Sequence, residues 1–152
     1  MQPTQPENGG KKAPRILIVE DVANVATVLK ARLEAYGYEI CDVANTGQKA
    51  IDSTLYHKPD LVLMDIMLEG EMNGIEAAAK IQKKMDVPII YLSCLSDQKV
   101  MDRAIETNPY GYIVKPYDSA ELRFSIENAL RKHHQDMERE ARIAKLEKSQ
   151  PK

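Results

Sequence analysis

The chain has 152 residues, 43% of them hydrophobic, and a formal charge of −2. That is one domain of ordinary size with room for tails, and with apolar material enough for a core. The balanced charge carries no general footprint for nucleic acid, no run approaches the roughly 20 apolar residues of a membrane span, and Met1-Gln2-Pro3-Thr4 lacks the basic start of a signal peptide.

Residues 1–14, rich in Pro, Gly, Gln and Lys, read as a disordered leader with nothing to bury. Ile16-Leu17-Ile18-Val19 is then a continuous β-type run, and Val25, Val28, Leu29, Leu33 and Tyr36 recur at helical spacing until Gly37 ends that helix. The cycle repeats with a strand at Glu39–Ala44, a helix at Gly47–His57, a strand at 60–64, and a helix carrying Ile75, Ala78, Ile81 and Met85. After Pro88 come a fourth strand, Ile89-Ile90-Tyr91-Leu92, and a helix over 97–106. A fifth strand, Tyr112-Ile113-Val114, precedes a last helix bearing Leu122, Ile126, Ala129 and Leu130, for which Ser119 is the expected cap.

Strand and helix in strict alternation require right-handed crossovers and a parallel sheet covered on both faces. Continuous apolar runs such as Leu61-Val62-Leu63-Met64 suit strands buried on both sides. Five strands are too few to close a barrel, so an open doubly wound α/β sheet of order 2-1-3-4-5 is expected, with strands 1 and 3 adjacent at the switch point.

The last helix outruns this unit, because residues 131–148 continue without Pro or Gly, with Met137, Ala141, Ala144 and Leu146 as a thin apolar stripe and Glu138 spaced to pair with Arg142. Residues 132–152 thus read as a charged helical extension or linker. From Arg131 onward seven Lys/Arg stand against four Asp/Glu, too little to argue for nucleic acid, and no output domain fits there. His133 and His134 read as a solvated helix face, since adjacent residues point apart. Cys41 and Cys94 form no CxxC or zinc-like spacing, so a reduced, cytoplasmic setting without a disulfide is expected.

The chemistry gathers at strand ends. Glu20-Asp21 closes the first strand, Asp65 the third, Ser93 the fourth, and Lys115-Pro116 the fifth. Taken singly, Asp21 reads as a helix cap, Asp65 as a turn residue, Lys115 as a solvated lysine and Ser93 as a turn hydroxyl. Taken together, they converge at the carboxyl edge of one sheet, where open α/β folds bind ligands. Three carboxylates so placed repel one another, and a divalent cation resolves the repulsion; all-oxygen ligation by few protein groups favours Mg²⁺. One neutralised carboxylate can then attack phosphorus, with the lysine and the serine hydroxyl bonding phosphoryl oxygens.

These residues resemble the receiver domain of two-component response regulators over about 15–131. The resemblance implies a (βα)5 flavodoxin-like fold and a phosphoacceptor, Asp65, charged from the phosphohistidine of a sensor histidine kinase or phosphotransfer protein. It implies Mg²⁺ held by Asp21, Asp65, the backbone carbonyl of Met67 and, through water, Glu20. Ser93 is the implied switch hydroxyl, Tyr112 the switch aromatic, and Lys115 the essential amine before a bond that is usually cis. Phosphorylation would then alter the face formed by the fourth helix, fifth strand and fifth helix, which binds an unknown downstream protein, the chain itself being a monomer or weak dimer. The loop 66–74 departs from the family pattern in being one residue longer and lacking its usual Pro. Cys94 stands where the family usually has Ala or Gly; with Met67 and Leu95 it narrows the approach, which implies a long-lived phosphoryl group. Two rivals stay open. One is an aspartate-nucleophile phosphatase or phosphotransferase, although Met67 stands where such enzymes want a second Asp; the other is a vestigial receiver-like module.

Overall fold

The computed structural model describes residues 12–94 and 97–149. Strands β1 (Arg15–Val19), β2 (Glu39–Ala44), β3 (Leu61–Asp65), β4 (Ile89–Ser93) and β5 (Gly111–Val114) alternate with helices α1 (Ala23–Ala35), α2 (Gly47–His57), α3 (Gly74–Gln82), α4 (Gln98–Glu106) and α5 (Ser119–Ser149). All strand pairs are parallel, in the order β2-β1-β3-β4-β5. Residues 1–11 of the expected leader lie outside the described residues, but Pro14 is tied in, its carbonyl accepting the Glu39 N–H.

Period-2 side-chain alternation divides the core into two layers. Leu17, Val19, Val62, Met64, Ile89 and Tyr91 pack with Ala50 and Ile51 of α2, Ala78 and Ile81 of α3 and Ala104 of α4. Their neighbours Ile16, Ile18, Leu61, Leu63, Ile90, Leu92 and Ile113 pack with Leu29 and Leu33 of α1 and Leu122, Ile126 and Ala129 of α5. Burial on both faces is why β1, β3 and β4 read as unbroken apolar runs, whereas the edge strand β2 does not.

Several local expectations need correction. The buried stripe of α1 is Ala26, Leu29 and Leu33, while Val25 and Val28 are exposed. Each valine precedes a buried residue by one position, about 100° around the helix, and Ala26 is small enough to sit against the sheet. Helix α3 stops at Gln82, leaving Met85 beyond its end but half-buried against the first layer. Asp97 lies outside α4 and caps it, accepting the Lys99 N–H. Ser119 is already helical; the carboxylate that receives the Glu121 N–H belongs to Asp118, one residue earlier.

Helix α5 runs 31 residues, about 46 Å at 1.5 Å per residue, and everything from Met137 to Ser149 is exposed. Glu138 pairs with His134 at 3.0 Å instead of with Arg142. His133 is not on a solvated face: only 14% of its side chain is exposed, its Nε2 lies 3.2 Å from Asp86 Oδ1, and its ring meets Tyr110 edge-on. Both cysteines are free thiols.

Candidate functional site

Parallel register sets the site. Asp65, last residue of β3, pairs with Leu92, so Ser93 stands one position further along β4; Ser93 pairs with Val114, so Lys115 stands one further along β5. On the other side Val19 pairs with Met64, which carries Glu20 and Asp21 to the same edge. The staggered ends bring groups from four strands to one edge of the sheet.

Lys115 joins two of the acids. Its Nζ lies 3.0 Å from Asp65 Oδ2 and 3.2 Å from Glu20 Oε1, and the Lys115–Pro116 bond that follows is cis. Asp65 and Glu20 are 6% and 4% exposed, so neither carboxylate is hydrated as it would be in open water. Burial, then hydrogen bonding and charge from Asp65, push Glu20 up to about 7 from its ordinary 4.5, against the pull of Lys115. For Lys115 burial acts to lower the pKa, but the bonds and charges of Asp65 and Glu20 outweigh it, and the ammonium is held above its usual value.

The loop after β3 wraps the acids with backbone donors. The Met67 N–H donates to Asp65 Oδ1 at 2.9 Å and the Glu69 N–H to Asp21 Oδ2 at 3.1 Å. Asp21 therefore does not cap α1, whose N-cap is Val22 with no side-chain bond. Gly74 closes the loop, its N–H reaching the Ile66 carbonyl while the backbone passes so close that a Cβ would lie 2.1 Å from the Asp65 carbonyl oxygen. Neither the Glu69 amide nor Gly74 was picked out as functional in the sequence; Asn73-Gly74 ahead of an apolar helix was the available signal, and Asn73 does cap α3.

Ser93 is fully buried, and its carbonyl accepts the Lys115 N–H at 2.7 Å. Tyr112 is half-buried, edge-on to Tyr91 with ring centroids 6.4 Å apart. The side chains of Met67 and Cys94 are exposed, whereas Leu95 lies outside the described residues.

One carboxylate oxygen from each of Glu20, Asp21 and Asp65 lies within 4.8 Å of the others. Three oxygen donors at that spacing fit a hard divalent cation, and one ammonium leaves their charge only partly balanced. No helix among the described residues is long and apolar enough to cross a membrane.

A doubly wound sheet with an acidic cluster and a lysine at its switch point defines an open α/β domain with a charged ligand site at the carboxyl edge of its strands. The response regulator receiver domain family matches residues 16–127, and the chain belongs to that family. It is 36% identical over 132 residues to transcriptional regulatory protein PdtaR of Mycobacterium tuberculosis, covering 87% of this chain and 64% of that protein. Response regulator ArlR of Staphylococcus aureus is 36% identical over 121 residues, 80% of this chain and 54% of that protein. The chain thus spans about half to two thirds of the length of these relatives. Among solved structures, the signal receiver domain of a modulated diguanylate cyclase from Desulfovibrio desulfuricans superposes with TM-score 0.77 at 36% identity, covering 82% of this chain and 98% of that one. The BeF3-activated N-terminal receiver domain of Klebsiella pneumoniae RstA gives 0.72 at 30%, covering 77% and 98%. The chain is a receiver domain of the two-component response regulators.

Proposed function

We propose that Asp65 is the phosphoacceptor of this receiver. The observation that carries the reading is the position of Lys115 Nζ, 3.0 Å from Asp65 and 3.2 Å from Glu20, with Asp21 completing the acidic cluster. An Asp65 carboxylate oxygen forms the bond to phosphorus as the P–N bond of a partner's phosphohistidine breaks, its electron pair remaining with the imidazole. Lys115 then transfers its bonds from the carboxylate to a phosphoryl oxygen, and the Met67 N–H keeps Asp65 oriented for attack. Glu20, Asp21, Asp65 and the Met67 carbonyl would hold Mg²⁺, which neutralises charge on the carboxylates and the phosphoryl oxygens when bound. Ser93 and Tyr112 serve as the switch pair, altering the face of α4, β5 and α5 for a downstream protein. Residues 15–131 form the receiver unit and 132–152 its extension, in a cytoplasmic protein.

Incubation with an acyl phosphate, with and without Mg²⁺, tests this by intact mass. The wild type gains one phosphoryl group only with the metal, and Asp65→Asn gains none; an equal gain in the variant would overturn the assignment. Cys94, bulkier than the Ala or Gly usual beside the switch hydroxyl, narrows access to the phosphoryl group and slows its loss. A half-life of seconds for the labelled protein would rule that out.

A further inference from the structure

At the opposite edge of the sheet from Asp65, five side chains meet where α5 leaves the domain. Tyr110, which immediately precedes β5, donates its hydroxyl to Asp136 Oδ2 at 2.7 Å. Its ring meets that of His133 edge-on with centroids 5.6 Å apart, and His133 Nε2, which makes no hydrogen bond among the described residues, lies 3.2 Å from the carboxylate of Asp86, the residue that immediately follows Met85 and leads into β4 through Val87-Pro88. Lys132 Nζ lies 5.9 Å from the Tyr110 ring centroid on the same turn. The last fully buried residue of α5 is Ala129. Beyond it only the half-buried Leu130 still packs on the apolar core, and these polar and aromatic contacts are the last that tie the helix to the domain among the described residues. Tyr110 is itself anchored, its N–H donating to the Ile89 carbonyl, and β5 carries only four residues between it and Lys115.

We propose that Asp86, Tyr110, His133 and Asp136 form a clamp through which the base of β4 and β5 sets the direction of the α5 extension, so that movement of β5 at Tyr112 and Lys115 is passed to whatever follows the helix. The relay half of this rests on the phosphoacceptor reading; the clamp itself does not. A short, hydrogen-bonded strand moves as one piece, so a shift at its carboxyl end displaces the Tyr110 hydroxyl and with it Asp136.

Hydrogen–deuterium exchange of the full chain tests both halves. Tyr110→Phe combined with His133→Ala removes the clamp, and the amides of 133–145 should exchange about tenfold faster, the effect of losing an ordinary hydrogen bond, while 119–129 are unchanged. Asp136→Asn, which keeps the helix length and leaves the core untouched, should give a smaller change of the same sign. Unaltered exchange in both variants overturns the clamp. Adding beryllofluoride with Mg²⁺ to the wild type should change exchange over 131–149, and the doubly substituted protein should bind the mimic yet lose that distant change. A distant change that survives in the variant overturns the relay. If the mimic protects nothing around Asp65, the phosphoacceptor reading fails instead, and the clamp is decided by the first comparison.

Discussion

Lys115 Nζ lies 3.0 Å from Asp65 Oδ2, although the residues are 50 positions apart in the chain. One ammonium serves both buried acids, so its removal leaves Asp65 and Glu20 facing each other without a cation. Lys115→Ala should slow phosphoryl uptake from an acyl phosphate by about a hundredfold, the usual cost of losing one donor to a transferring group. Time courses of intact mass would measure it; uptake at the wild-type rate would remove Lys115 from the chemistry.

Glu20 makes the metal-free protein sensitive to mildly acidic pH. Its folded pKa of about 7 is above the ordinary 4.5, so the folded state holds the proton more tightly than the unfolded chain. The associated stability is complete below about 4.5 and is lost as pH rises through about 7. Urea midpoints measured in a chelator between pH 5 and 8 should fall with a steeper slope for the wild type than for Glu20→Gln. Parallel slopes would contradict the burial-driven shift.

Gly74→Ala pushes a methyl group to within 2.1 Å of the Asp65 carbonyl oxygen and 2.9 Å of Ile66 Cα. Both obstacles are backbone and cannot rotate away. A loss of about 3 kcal/mol is expected from urea unfolding, together with weaker divalent-cation binding by calorimetry as Asp65 is displaced. Normal stability would mean that the loop 66–73 yields more easily than its hydrogen bonds suggest.

Within α1 the two kinds of apolar residue should behave differently. Leu33 is fully buried, whereas Val28 is 52% exposed. Leu33→Ala should cost about 3 kcal/mol and Val28→Ala no more than about 0.5 kcal/mol, read from chemical denaturation. Equal costs would place Val28 against other protein in solution.

How legible these features were depended on how local their causes are. The strands of β1, β3 and β4 were visible because burial on both faces leaves an unbroken apolar run. The stripe of α1 is not legible in the sequence because Val25 and Val28 look more core-like than Ala26, and only the distance to the sheet favours the small side chain. The cap of α5 is ambiguous in the sequence by one residue, since Asp118 and Ser119 are both good caps and the choice turns on where the chain leaves β5. His133 looked like a surface residue because its partners, Asp86 and Tyr110, are 47 and 23 positions away.

The residue types, and the fact that each chemical group closes its own strand, are properties of the amino-acid order alone, because period and punctuation act over a few neighbours. Contact between those groups is a tertiary matter. It follows from the parallel register that sets Asp65 opposite Leu92 and Ser93 opposite Val114, and from a loop whose amides turn back onto Asp65 and Asp21. Hydrogen bonds between strands distant in sequence supply that register, and with it the buried, shared charge that distinguishes Glu20 from an ordinary surface acid.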